Sequence, residues 1–103
     1  MLVSRKIPIF KVIQEVPIFM KIYNYDGNAN IIGPNIRKNR IKFHLSQEAL
    51  AAKMQLKNIE ISQKVISRIE KQDRFVTDYE LLAFSEVLKV DIYELLGVKN
   101  ISK

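Results

Sequence analysis

Ser46-Gln47-Glu48-Ala49-Leu50-Ala51-Ala52-Lys53-Met54, followed by Val65-Ile66-Ser67-Arg68-Ile69-Glu70, spells two short helices in quick succession. Ser46 is a residue whose hydroxyl caps a helix start, and Glu48 sits favourably against the positive end of the dipole. That helix is expected to end near Met54. The next is expected to begin after Ser62, a second cap residue. Its Val65, Ile66 and Ile69, at i, i+1 and i+4, make an inward stripe that leaves Gln63, Lys64, Ser67 and Arg68 outside.

Working outward, Gly33-Pro34 marks a preceding boundary, because proline at a first helical position loses no hydrogen bond. The spacing predicts a helix from Pro34 to about Phe43, with Ile36 and Ile41 inward and Arg37, Lys38 and Lys42 solvated. Thr77-Asp78-Tyr79-Glu80 is a capping box that opens a helix running to about Leu88. Asp91-Ile92-Tyr93-Glu94 is expected to cap a shorter one by the same reciprocal bonds, with Gly97 as the left-handed residue that ends it. Five short helices thus occupy Pro34 to Leu96. Between the second and third, Gln55-Leu56-Lys57-Asn58-Ile59-Glu60-Ile61 forms a connection in which Leu56, Ile59 and Ile61 are expected to anchor in the core. Lys57 is then exposed, either merely solvated or able to meet a phosphate.

The segment before this helical run differs. Ile7-Pro8-Ile9-Phe10-Lys11-Val12-Ile13 resembles Val16-Pro17-Ile18-Phe19-Met20-Lys21-Ile22, and a proline near each start confines such β-prone stretches to sheet edges. Three readings stay open: a hairpin that pairs with another chain, a disordered leader, or a natural start at Met20 that leaves 1–19 outside the protein. The expected division is an N-terminal extension at 1–32, extended, β or disordered; a helical domain at 33–97; and a tail at 98–103.

At 103 residues, 48% hydrophobic and 27% charged, the composition suits one small core and is too apolar for a disordered chain. No cysteine is present, so disulfides and thiolate metal sites are excluded. His44 is the single histidine and a metal site there is not expected. No apolar run reaches the roughly 18 residues of a membrane span, and the cytoplasm is the expected compartment. The net charge of +6 is unevenly placed. From Ile36 to Arg74 ten cations face four anions, a net +6, whereas from Phe75 to Gly97 Lys89 alone opposes five acids, a net −4. A basic half joined to an acidic half suits one face approaching phosphates.

The residues Leu45-Ser46-Gln47-Glu48-Ala49-Leu50-Ala51, then Ile66-Ser67-Arg68-Ile69-Glu70, then Leu81-Leu82 through Leu88-Lys89-Val90 to Leu95-Leu96 resemble the Cro and lambda-repressor-type helix-turn-helix family, often called XRE-like. The likeness covers about two-thirds of the chain. It implies an all-α, five-helix lambda-repressor-like domain whose third helix enters a major groove roughly 12 Å wide, with small Ala51 where the second and third helices approach. It further implies that Gln63, Lys64, Ser67 and Arg68 contact bases, Gln63 and Arg68 foremost, and that Gln47 reaches phosphate or an outer base edge. Arg40 and Glu70 occupy positions where the family often shows a structural ion pair. Lys71 and Arg74 join Lys57 as candidate backbone contacts, with ordinary solvation as the alternative for each. The connection of 55–61 is longer than the family's tight turn, which bears on the angle of the third helix.

The expected function is therefore a sequence-specific regulator of transcription, a repressor, binding double-stranded DNA as a homodimer without cofactor, metal or membrane. The dimer surface lies either at the fifth helix with Val98 to Lys103 or in the leader. The rival is a protein-interaction or antitoxin-like role on the same fold. An enzyme is not expected, since no nucleophile–base pair, phosphate loop or metal cluster is visible.

Overall fold

Every helix among the described residues begins where a short polar side chain takes up an amide that the helix cannot satisfy itself. A computed structural model describes residues 25–99, which hold five helices and no strand. They are α1 (Gly33–Lys42), α2 (Gln47–Gln55), α3 (Gln63–Glu70), α4 (Asp78–Leu88) and α5 (Ile92–Leu96). The leader heptads and the end of the tail lie outside the described residues.

Ser46 Oγ accepts from the Ala49 amide at 2.9 Å and Ser62 Oγ from the Val65 amide at 3.3 Å. At α4 the box is complete: Thr77 Oγ1 accepts from the Glu80 amide at 3.3 Å and Glu80 Oε1 from the Thr77 amide at 3.0 Å. Where the spacing predicts a second box, Asp91 instead makes one bond, accepting from the nearby Tyr93 amide at 2.8 Å. A short aspartate is satisfied within its own turn, and five-residue α5 starts from that single cap. At the other ends, all five helices leave through a residue with left-handed backbone: His44 (φ 60°), Asn58 (64°), Gln72 (65°), Lys89 (56°) and Gly97 (74°).

The core draws on every helix. Ile36 of α1, Leu50, Ala51 and Met54 of α2, Ile66 and Ile69 of α3, Ala83, Phe84 and Leu88 of α4 and Leu95 of α5 are buried together with Ile61. Ala51, where the sequence calls for a small residue, lies in this cluster between α2 and its neighbours.

Two expected core residues stand outside it. Ile41 is 49% exposed, because five residues past Ile36 it has rotated well off the buried side. Buried Asn39 fills that side instead, its Nδ2 donating to the Asn35 carbonyl at 2.8 Å. Leu56 is 84% exposed. It caps the end of α2, and the turn behind it closes through the Lys57 amide on Met54 O and the Asn58 amide on Gln55 O. Left-handed Asn58 then swings Ile59 and Ile61 inward and leaves Leu56 on the outer side.

Packing begins before Gly33. Ala29, Asn30 and Ile32 are buried, and the Asn30 side chain ties α1 to the end of α3. Asn30 Nδ2 donates to Ile69 O (3.0 Å) and Arg74 O (2.8 Å), while its Oδ1 accepts from the Gly33 amide at 2.8 Å. Gly33 itself has no room for a side chain, since a Cβ there would run into the Ile69 carbonyl oxygen. Asn35 Nδ2, donating to Leu95 O at 3.0 Å, fastens the same helix to α5.

Candidate nucleic-acid interface

Helix α3 is eight residues long and two-sided. Ile66 and Ile69 are buried and Val65 packs against the core, which turns Gln63, Lys64, Ser67 and Arg68 to the opposite side. Lys64, Arg68 and Lys71, the last capping the helix end, are exposed, whereas Gln63 and Ser67 are half-buried. One helix thus carries an apolar underside and a cationic, amide-bearing outer face, with no acid among its outward residues.

Beneath that face runs a chain of polar contacts. Arg40 grips Glu70 with two nitrogens, Nε to Oε2 at 2.6 Å and Nη2 to Oε1 at 3.1 Å, and its Nη1 donates to Leu45 O at 2.8 Å. The two side chains are only 12% and 3% exposed, so the forked geometry compensates charges largely withdrawn from water. Glu70 Oε1 also accepts from Gln47 Nε2 at 3.0 Å, and Gln47 Oε1 accepts from Gln63 Nε2 at 2.7 Å. The orientation of both amides follows from the first link. A carboxylate only accepts, so Gln47 turns its NH2 to Glu70 and its oxygen outward; Gln63 must then offer an NH2 to that oxygen. That bond leaves Gln63 its oxygen and a second N–H, one acceptor and one donor.

The other named residues are placed differently. Lys57 Nζ lies 3.2 Å from Glu86 Oε1, with both side chains about half exposed, a surface pair that holds its lysine weakly. Arg74 is held inward: Nη1 donates to Glu80 Oε1 at 2.7 Å and to Phe75 O at 2.8 Å, and the guanidinium lies 5.1 Å from the Phe75 ring centroid. Its reach toward a phosphate is taken up by α4, a tertiary contact that residue type alone does not disclose. His44 is an exposed residue just past α1. Among the described residues no group of three or more acidic or histidine side chains is placed to hold a metal, and no helix is long and apolar enough to cross a membrane.

Residue type alone gives Gln47 and Gln63 separate roles and does not disclose their contact. The signal was present as a repeat, Ser46-Gln47 and Ser62-Gln63, which puts the same amide directly after each cap. No curated protein and no solved structure matches the chain. A family model for the helix-turn-helix matches residues 36–95, more than half of the 103 residues, and spans all the elements that hold this face together. The chain belongs to the Cro/C1-type, XRE-like helix-turn-helix family of DNA-binding transcription regulators.

Proposed function

We propose that this chain is a sequence-specific binder of double-stranded DNA that represses transcription by occupying an operator, with α3 seated in the major groove. The observation that carries the reading is the outer face of α3, where Gln63, pinned by the Arg40–Glu70–Gln47 contacts, stands beside exposed Lys64 and Arg68. Gln63 supplies the donor and acceptor that adenine's N7 and N6 require, and Arg68 the fork that guanine's O6 and N7 accept, each such pair contributing ~1–3 kcal/mol of discrimination. Ser67 touches a base edge between them. Lys57 and Lys71 meet phosphates, which fixes register without reading sequence; Gln47, its side chain engaged with Glu70 and Gln63, acts by orienting Gln63, and Arg74, engaged with Glu80, is left out of the interface.

One α3 spans few base pairs, so the working form is a homodimer on two half-sites about one helical turn, roughly 34 Å, apart. The chain acts without catalysis, in the cytoplasm with the nucleoid. Selection from random duplexes, followed by affinity measurements across salt, tests this directly. The expected outcome is a paired half-site and a steep salt dependence, with Lys64→Ala weakening binding, Arg68→Ala weakening it by ~1–3 kcal/mol and relaxing the base preference, and Lys71→Ala lowering the log–log slope by about 1. Absence of affinity at low salt, or affinity indifferent to Lys64→Ala and Arg68→Ala, overturns the reading and turns the α3 face toward a protein partner.

A further inference from the structure

Residues 29–33 lie ahead of the matched helix-turn-helix residues, which begin at Ile36, yet they are fastened to the exit of α3. The Ala29 amide donates to Gln72 O at 2.9 Å and Gln72 Nε2 donates to Asn30 O at 3.0 Å. Asn30 Nδ2 donates to Ile69 O at 3.0 Å and to Arg74 O at 2.8 Å. Its Oδ1 takes the Gly33 amide, so the side chain that starts α1 also closes the end of α3. Gly33 completes the fit, because only a residue without a Cβ lets the start of α1 lie against the Ile69 carbonyl.

Gln72 is the informative residue of this strap. It holds a left-handed backbone (φ 65°) just past the end of α3, a place where glycine sits without steric cost. A chain that needs only to leave the helix is served best by glycine there. What glutamine adds is a clasp in both directions, its side chain reaching Asn30 O while its carbonyl receives the Ala29 amide. The anchor points Ile69, Gln72 and Arg74 bracket Lys71, the exposed cation that caps α3. Ile69 O and Arg74 O are held by one nitrogen of buried Asn30, so the backbone on either side of Lys71 is tied to a single side chain. A cation whose backbone is fixed beforehand gives up less freedom on meeting a phosphate.

We propose that Asn30 and Gln72 are positioning residues for DNA binding: the strap of residues 29–33 fixes the exit of α3 so that Lys71 meets its phosphate without reordering. The inference rests on the groove reading of α3. A double-mutant cycle in the full-length chain tests it. Gln72→Gly and Gln72→Met each remove the donor to Asn30 without changing charge, the first easing the left-handed backbone and the second keeping it. Both are expected to weaken affinity for the selected duplex severalfold, with helical circular dichroism unchanged and the base preference that depends on Arg68 retained. Lys71→Ala is expected to weaken binding severalfold in the unsubstituted chain and to add little in either Gln72 background. An equal loss from Lys71→Ala in every background overturns the proposal, and so does Gln72→Gly binding like the unsubstituted chain. No loss from Lys71→Ala in any background also overturns it, while harm from Arg68→Ala then keeps the groove reading standing. Absence of affinity in the unsubstituted chain overturns the groove reading and this inference with it.

Discussion

The described residues include two arginine–glutamate pairs of nearly equal chemistry and opposite connection. Arg40–Glu70 and Arg74–Glu80 are both mostly buried, and in each the glutamate has a further donor: Gln47 for Glu70, the Thr77 amide for Glu80. The first pair leads outward, through Gln47 to Gln63 at the surface of α3. The second closes on itself, joining the segment after α3 to the first turn of α4. A buried ion pair is weak evidence of net stabilisation in either place. The difference teaches that one of them also sets the direction of the surface amides, a role that strength alone does not measure.

The largest effect on this comparison should come from removing either carboxylate. Glu70→Ala and Glu80→Ala each strand an arginine and are expected to lower stability by ~3–5 kcal/mol in urea denaturation followed by circular dichroism, making the two pairs look alike. They part under a milder change. Glu70→Gln abolishes the charge that orients Gln47, and is expected to lose much of the ~1–3 kcal/mol preference for one base pair, measured with operator variants. Glu80→Gln leaves that preference intact. Equal base preference in both variants would reduce the Arg40–Glu70 pair to scaffolding. Smaller still, Thr77→Ala removes one cap bond and should lower stability by ~1 kcal/mol with unchanged DNA affinity. The exposed Lys57–Glu86 pair marks the lower end: Lys57→Ala should change stability by less than ~0.5 kcal/mol, yet reduce the salt slope of DNA binding by about 1 if that lysine meets a phosphate.

The helices and their starts were legible in the sequence because their causes are local. Ser46, Ser62 and Thr77 sit beside the amides they cap, and the Ile66/Ile69 stripe lies within one helix. What escaped depends on residues far apart in the chain. Asn30 bonds to Ile69 and Arg74 across about forty positions, Gly33 is small because Ile69 passes over it, and Arg74 turns inward because Glu80 waits there. Ile41 and Leu56 failed as core residues for a related reason: apolar character states a tendency, and helix phase and the turn at Asn58 decide which side it faces. The candidate site was legible as a set of residues on α3. The contact that arranges it, Gln47 to Gln63, forms only once two helices meet.

The left-handed exits of the helices carry a consequence for engineering. Of the five, only the last is glycine, and an L-residue in that conformation is disfavoured by ~1–2 kcal/mol relative to the right-handed one. His44 and Lys89 are exposed there, so His44→Gly and Lys89→Gly should each raise the melting temperature, offset in part by the added freedom of the unfolded chain. The fold therefore sits below its own thermal ceiling, and two exposed helix exits outside α3 offer a way to raise it.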